Sequence, residues 1–320
     1  MGTAAITANA LAEKLKKERR AALVCHIRPD GDTLCSAAAL CAALKKIGVQ
    51  AEVYCSDKVP EKFFFLPALK DVKDKLSGEY SALIAMDCAE MTRLGGFGSA
   101  FSAHKNTYSI DHHISNTRFA KVNFVRDCAA NCENALEVIL SLGITPDAEI
   151  AALLLTGIVT DTGSFRHKNV TPATMRTAAY LMERGADLNL ITYNAFTAQS
   201  KERAELFGRV IRGIRFFAGG KIALLSVLKE DFIKTGAGQD ETEGFTDFAM
   251  SIRGVDVGVC IMETGGKFKV SFRSRKTDVN AVAGVFGGGG HTLASGCQIS
   301  GEYEEAVDRI VCAVKRFLEE

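Results

Sequence analysis

The segment HIRPDGD at residues 26–32 places one imidazole and two carboxylates close together in the sequence. Its Pro and Gly favour a tight turn, so the side chains of His26, Asp30 and Asp32 can converge. Oxygen and imidazole ligands without thiolates are typical of Mn²⁺ or Mg²⁺ sites, and the histidine favours manganese of the two. The segment predicts a metal site, and a solvated turn is the alternative if it is taken alone.

Three further acidic or imidazole clusters follow at the ends of elements that we assign to the same sheet. They are Asp87, the triplet Asp111-His112-His113, and Asp161. Open α/β sheets bind ligands at the carboxyl ends of their strands. Counting the HIRPDGD segment, four of the six histidines lie in these four clusters or in a later glycine-rich loop. The alternative is that the aspartates cap helices and the histidines form hydrogen bonds within the core. This alternative is difficult to maintain for all four clusters together.

The elements that must position these clusters follow from the hydrophobic pattern. Over the first two hundred residues, short apolar runs alternate with helical patterns, which predicts an α/β fold with a parallel sheet. After residue 213 the sequence favours hairpins around Gly219-Gly220 and Gly265-Gly266. We predict three parts: a metal-binding domain over 1–198, a connecting helix or linker over 199–213, and a smaller α+β domain over 214–320.

A second candidate site lies in the smaller domain. Gly288, Gly289 and Gly290 let backbone N–H groups approach a phosphate closely, and His291 adds a side-chain donor. Because no Walker lysine or dinucleotide spacing is present, a flexible turn is the alternative. Arg273 favours the phosphate site, since a guanidinium can bind a terminal phosphate through two hydrogen bonds. Most of the basic residues around it are interpreted as a solvated face.

Composition limits the classes of function. The chain has 320 residues, 47% of them hydrophobic and 24% charged, with a formal net charge of +1. That charge argues against a broad duplex-binding surface, so any nucleic-acid substrate should be small. The ten cysteines contain no CxxC pair and suggest reduced thiols. No stretch approaches the roughly 20 apolar residues of a membrane span, so we expect no membrane partner and a cytoplasmic location.

Together these motifs carry a family resemblance. HxxPDGD, a strand-end Asp87, the DHH triplet and the DTG segment at 161–163, in this order, resemble the DHH phosphoesterase superfamily. GGGGH at 287–291 and SFRS at 271–274 resemble the DHHA1 domain, so the resemblance covers essentially the whole chain. Within that group the chain is most similar to the bacterial nanoRNases, which also dephosphorylate adenosine 3′,5′-bisphosphate.

The resemblance implies a ligand set for two divalent cations, with Mn²⁺ first and Mg²⁺ or Co²⁺ as alternatives. His26, Asp30 and Asp87 would hold one ion, and Asp87 would bridge to the other. The second ion would be held by Asp32, Asp87, His112 and Asp161. Two ions about 3.5–4 Å apart can share a water, lower its pKa and present hydroxide to phosphorus.

The resemblance also implies roles for the other two residues of the DHH triplet. His113 would contact the phosphate or help the leaving oxygen, or else would brace the loop. Asp111 would orient its neighbours.

The implied activity is hydrolysis of short oligonucleotides to mononucleotides, removal of the 3′-phosphate of adenosine 3′,5′-bisphosphate, or both. The active site would lie in the cleft between the DHH and DHHA1 domains. Expected partners are short single-stranded RNA or DNA or nucleoside bisphosphates, and relatives make a homodimer plausible. A family-II-like pyrophosphatase is expected to lack GGGGH, and a RecJ-like exonuclease would need further domains. The complete set of candidate metal ligands argues against a nucleotide-sensing protein that has lost catalytic turnover.

Two features depart from the resemblance. Asn131 and Cys132 lie where relatives often carry Ser or Thr shortly before the glutamate that corresponds to Glu133. His167 lies where relatives usually have an aromatic or apolar residue. We assign neither His167 nor His104 to the site.

Overall fold

The computed structural model describes residues 6–318. The chain forms two compact units, Met1–Ala198 and Gln199–Glu320. The first five and the last two residues of the predicted domains lie outside the described residues.

The first unit contains a five-stranded sheet in the order β2-β1-β3-β4-β5. All four strand pairings are parallel, which confirms the predicted sheet. Parallel strands covered on both faces consist of continuous apolar runs, as ALIAM in β3 shows. The strands are β1 (Arg20–Val24), β2 (Gln50–Tyr54), β3 (Ala82–Met86), β4 (Thr107–Asp111) and β5 (Val122–Val125). Strand β5 was not predicted, because its four residues, VNFV, are too few and include a polar residue.

Seven α-helices belong to the first unit in the described part of the chain. One apolar core joins the sheet to the second and fifth of them, with Leu40 and Leu154 fully buried in it. Asp147 caps the fifth helix by accepting the N–H of Ile150 at 3.0 Å. The helices are α1 (Ala8–Leu15), α2 (Gly31–Lys46), α3 (Gly98–Ala103), α4 (Asn131–Ser141), α5 (Ala148–Asp161), α6 (Pro172–Glu183) and α7 (Leu188–Thr192).

One placement predicted from the sequence is wrong. The sequence pattern predicts a helix over 148–159, which α5 confirms, but the assignment of Asp161 to the end of an element of the sheet is wrong, because Asp161 is the last residue of that helix. The carboxylate therefore approaches the edge of the sheet from the helical layer. A second, smaller core lies around Tyr54, Leu94 and Phe101. It packs the 3₁₀ segment Met91–Phe97 beside the sheet.

The second unit contains a six-stranded mixed sheet in the order β10-β11-β9-β8-β7-β6. Two hairpins, β6–β7 and β8–β9, form where the glycine pairs predict them. Within this second sheet, β7 and β8 are the only parallel pair among the described residues. The strands are β6 (Arg215–Phe217), β7 (Ile222–Val227), β8 (Val257–Thr264), β9 (Lys267–Ser274), β10 (Gly289–His291) and β11 (Ala294–Ile299).

Helices cover both faces of this second sheet. One core joins Val259 and Phe272 to Ile310, and the other joins Leu225 and Cys260 to Leu206. The helices are α8 (Lys201–Arg212), α9 (Lys229–Thr235), α10 (Phe245–Ser251), α11 (Val279–Gly284) and α12 (Tyr303–Phe317). Over residues 6–318, we find no helix with the length and apolar character that spanning a bilayer requires.

Candidate metal centre

The candidate metal ligands come together at one edge of the first sheet. Parallel strands that run in the same direction end at the same edge, so the residues after β1, β3 and β4 become neighbours. Asp87 follows β3 directly, and its N–H donates to the carbonyl of Ile110 at 2.9 Å. Its backbone has a φ of +54°, a left-handed conformation that Asp and Asn tolerate better than most residues. The chain thus turns sharply at the residue whose carboxylate lies at the centre of the cluster.

The two oxygens of Asp87 face two different histidines. Oδ2 lies 3.6 Å from Nε2 of His26, and Oδ1 lies 3.3 Å from Nε2 of His112. On the first side, His26 Nε2 is also 3.7 Å from Asp30 Oδ2. On the second side, His112 Nε2 is 3.7 Å from Asp161 Oδ2 and 4.0 Å from Asp32 Oδ2. A carboxylate shared by two such groups has the arrangement of a bridging ligand.

Three groups of side chains have ligand atoms within 4.8 Å of one another. They are His26, Asp30 and Asp87; Asp32, His112 and Asp161; and Asp87, His112 and His113. Asp87 is 2% exposed, yet its Oδ1 has no hydrogen-bond partner among the described residues. A buried carboxylate oxygen without a hydrogen-bond partner destabilises the folded state unless a ligand binds it. The oxygen and imidazole donors fit hard divalent cations such as Mn²⁺ and Mg²⁺.

The carboxylates of the cluster shift the pKa values of its histidines, and burial shifts that of Asp161. Burial alone would lower the pKa of His26, but the carboxylates of Asp30 and Asp87 outweigh it and raise that pKa to about 10. The same balance holds for His112. Burial alone would lower its pKa, but the carboxylates of Asp87 and Asp32 outweigh burial and raise that pKa to about 10. Burial raises the pKa of Asp161 to about 6. Cations bound here would replace these protons as partners of the carboxylates.

Backbone carbonyls fix the orientation of both rings. Nδ1 of His26 lies 2.8 Å from the carbonyl oxygen of Ile27, and Nδ1 of His112 lies 3.0 Å from that of Cys128. When Nδ1 donates to a carbonyl, Nε2 is the nitrogen directed at the cluster. Metal-binding histidines are commonly held in this way.

Asp32 is held by the backbone of helix α4. Its Oδ2 accepts the N–H of Asn131 at 2.5 Å, and its Oδ1 accepts the N–H of Cys132 at 2.9 Å. The N-cap residue Ala130 has no side chain that could accept these bonds. Asp32 therefore caps α4 from another helix. Sequence reasoning missed this contact, because the acceptor and the helix that it caps are about a hundred positions apart.

Gly157 of α5 makes room for this capping carboxylate. A Cβ at that position would lie 2.2 Å from Cys132 Sγ and 2.8 Å from Asp32 Oδ1. We expect Gly157→Ala to lower the free energy of unfolding by about 1–3 kcal/mol, because the three packed helices must move apart. We also expect weaker manganese binding, since Asp32 shifts. Urea unfolding in EDTA and a manganese titration measure the two effects.

A matched control for this substitution lies in α8. A Cβ at Gly208 would meet no atom within 4 Å. We expect Gly208→Ala to leave manganese binding unchanged and to stabilise the protein by up to about 1 kcal/mol, because alanine favours helix. Equal effects of the two substitutions would contradict the packing argument.

Asp111 and His113 form a pair beside the cluster. His113 Nδ1 lies 2.8 Å from Asp111 Oδ1, and the Asp111 carboxylate raises the pKa of the imidazole. Asp111 is fully buried, and its Oδ2 accepts a hydrogen bond from Asn116 at 2.5 Å. The side chain of His113 is 42% exposed. With Nδ1 engaged by Asp111, Nε2 is the nitrogen that could meet a substrate.

Two histidines left outside the site have structural contacts. His167 Nδ1 lies 3.2 Å from the carbonyl oxygen of Asp161, and its ring packs on Gly163, so it braces the turn after Asp161. His104 lies by the carbonyl oxygens of Asn106 and Tyr80, where strand β4 begins.

The candidate phosphate-binding residues belong to the second unit. The strand register pairs His291 with Ala294, and Ala294 with Arg273. Residues directly opposite one another share a face of the sheet, so Arg273 and His291 flank a small alanine on the same face. The side chain of Arg273 is 42% exposed, with Nε 3.4 Å from Asp247 Oδ1.

Two glycines of the GGGGH segment at 287–291 are needed for close packing. A Cβ at Gly288 would lie 2.2 Å from the carbonyl oxygen of Gly296, and one at Gly290 would lie 2.6 Å from that of Ala294. The N–H groups of Gly288 and Gly290 already donate to Ala283 and Asn280. A phosphate would have to take over these donors or use others, and Gly289 lies between them in strand β10.

Family models match both units of the chain. The model described as the DHH family, N-terminal domain, matches residues 20–158. The model described as the DHHA1 domain matches residues 219–320. The two matches together include every candidate site residue except Asp161.

Curated relatives and a solved structure match nearly the full length. The bifunctional oligoribonuclease and PAP phosphatase NrnA of Thermus thermophilus is 33% identical over 298 residues, which are 92% of this chain and 88% of that protein. The protein of the same description from Bacillus subtilis is 25% identical, over 92% and 93% of the two chains. The crystal structure of an exopolyphosphatase-related protein from Bacteroides fragilis superposes with a TM-score of 0.86, at 25% identity and over 97% and 96% of the chains.

Proposed function

Because this chain belongs to the DHH family and carries a DHHA1 domain after its DHH domain, we propose that it hydrolyses short oligonucleotides and adenosine 3′,5′-bisphosphate with the help of two divalent cations. The observation that carries the proposal is Asp87, whose two oxygens face separate histidine and carboxylate groups. The substrates follow the relatives from Thermus thermophilus and Bacillus subtilis, which are described as oligoribonucleases and PAP phosphatases.

The proposed ligands are those predicted from the sequence. His26, Asp30 and Asp87 would hold one cation, and Asp32, Asp87, His112 and Asp161 would hold the other. The donor set suits manganese, with magnesium or cobalt as alternatives. When bound, the two cations would supply a nucleophile at neutral pH and stabilise charge on the transferring phosphoryl group.

The other residues of the chain would bind and orient the substrate. We propose that His113, held by Asp111 through Nδ1, offers Nε2 to the phosphate or to the leaving oxygen. Arg273 and His291 would bind a further phosphate of the substrate, which favours short substrates with a terminal phosphate. The site between the domains, the homodimer and the cytoplasmic location stay predictions.

Phosphate release tests this function directly. We expect the protein with manganese to release phosphate from adenosine 3′,5′-bisphosphate, and to release mononucleotides from the dinucleotide pApA. EDTA should abolish both activities, and added manganese should restore them. A protein that binds manganese yet acts on neither substrate would contradict the proposal and would favour the nucleotide-sensing alternative.

Arg273→Ala should chiefly raise KM for short substrates. A charge-assisted contact to phosphate is worth about 1.5–3 kcal/mol, so we expect KM to rise about 10- to 100-fold with little change in kcat. Steady-state kinetics with pApA measures this. Lys267→Ala at the exposed start of the same strand is the control and should leave KM unchanged. An unchanged KM for Arg273→Ala would remove that residue from the site.

A further inference from the structure

Arg93 lies beside the metal cluster without belonging to it. It is an exposed residue of the 3₁₀ segment Met91–Phe97. Its Nη2 lies 3.1 Å from Nδ1 of His26, although the two residues are 67 positions apart in the sequence. It belongs to none of the HxxPDGD, DHH, DTG and GGGGH motifs.

The backbone around Arg93 is fixed against the loop that carries His26. The N–H of Ile27 donates to the carbonyl oxygen of Arg93 at 2.8 Å. Gly95 has a φ of +58°, and a Cβ there would lie 2.6 Å from Ile27 Cγ2 and 2.8 Å from Ser56 Oγ. Leu94 is fully buried in the core beneath. The position of Arg93 at the edge of the cluster is therefore set by the fold.

The guanidinium of Arg93 finds no hydrogen-bond acceptor on the ring of His26. Nδ1 of that ring lies 2.8 Å from the carbonyl oxygen of Ile27, where it must donate. A nitrogen that donates its hydrogen in the ring plane cannot also accept one from Arg93. Among residues 6–318, no carboxylate forms an ion pair with Arg93 either. Its forked donors are thus available to an anion.

The chemistry of the cluster selects the anion. A guanidinium has no lone pair to offer a cation, so Arg93 cannot serve as a metal ligand, and its free donors suit a ligand that carries negative charge. A phosphate group that binds at the cluster brings that charge, and its paired oxygens match the planar fork of arginine. We propose that Arg93 binds non-bridging oxygens of the phosphate group that undergoes hydrolysis, from the side of His26. This rests on the proposed function for the choice of substrate.

Binding of inorganic phosphate gives a readout that does not need turnover. Calorimetric titration of phosphate into the manganese-loaded full chain should show affinity about 10- to 100-fold lower for Arg93→Ala than for the wild type. Arg93→Lys should fall between them, since lysine keeps the charge but loses the fork. kcat/KM for adenosine 3′,5′-bisphosphate should fall in the same order. Manganese affinity, titrated without phosphate, should stay unchanged.

Arg19→Ala is the matched control. Arg19 is exposed, and it precedes β1 at the sheet edge opposite the cluster, so its loss should change none of these quantities. Lower manganese affinity in Arg93→Ala, with phosphate affinity unchanged, would overturn the proposal, because Arg93 would then act by positioning His26. A wild type that binds no phosphate would overturn it as well.

The two proposals fail separately. Wild-type protein that hydrolyses neither substrate but binds phosphate through Arg93 contradicts only the proposed function. An active wild type with Arg93→Ala unchanged in phosphate affinity and kcat/KM contradicts only the role of Arg93.

Discussion

Asp87→Asn is expected to lower kcat for adenosine 3′,5′-bisphosphate by on the order of 1000-fold or more, because one carboxylate faces both groups of ligands. An amide of the same shape cannot neutralise two cations, and metal-ion stabilisation of the transition state is worth several kcal/mol. Asn is preferred to Ala because it keeps the volume of a side chain that is 2% exposed and tolerates the φ of +54°. We expect the fold to persist.

Metal content separates a bridging role from a structural one. The variant should bind fewer than two manganese ions per chain, measured by elemental analysis after dialysis, while its circular dichroism and its melting temperature in EDTA stay near the wild-type values. Asp74→Asn, at an exposed position of the same unit, is the control and should retain full activity. Near-native turnover by a folded Asp87→Asn protein would rule out the bridge.

The side chains that the sequence predicted well are those tied to local patterns. Asp87 and Asp111 could be placed because an apolar run identifies a strand, and a parallel sheet brings the ends of its strands to one edge. The helix before Asp161 was predicted too, but Asp161 was wrongly grouped with the ends of elements of the sheet, since its carboxylate reaches the cluster from helix α5. The hairpins of the second unit followed from two glycine pairs that are each flanked by short apolar runs.

The contacts that the sequence did not predict depend on packing between distant segments. Asp32 meets the N–H groups of Asn131 and Cys132 across 99 and 100 positions, and the space for it exists because Gly157 lies on a third helix. Arg93 reaches His26 across 67 positions. No periodicity or local spacing encodes such distances. They appear only when the helices and the sheet are assembled.

The glycine run shows how one pattern can have two causes. Sequence reasoning weighed a phosphate cradle against a flexible turn. The structure instead pairs 289–291 with β11, and at Gly288 and Gly290 the neighbouring backbone leaves no room for a Cβ. Close packing alone therefore requires glycine at these two positions. A substrate role for the run has to be tested at His291 and Arg273, whose side chains can be changed without filling that space.

His113→Ala and Asp111→Asn together test how the DHH triplet acts. We expect His113→Ala to lower kcat about 100-fold or more, as the loss of a positioned proton donor does, with two manganese ions still bound. Asp111→Asn should lower kcat about 10- to 100-fold, since Asp111 acts by holding Nδ1 of His113 at 2.8 Å. Rates at saturating substrate and manganese measure both effects, and melting temperatures show whether the buried Asp111 site tolerates the amide.

The double variant decides whether Asp111 acts through His113. If its carboxylate serves only to orient and charge that imidazole, nothing remains for it to do once the ring is gone. His113→Ala with Asp111→Asn should then be no slower than His113→Ala alone, which is the non-additivity expected of residues that act as one unit. Losses that multiply would show an independent role for Asp111. Loss of a bound cation in His113→Ala would make His113 a ligand, since its Nδ1 lies 3.6 Å from Asp87 Oδ1.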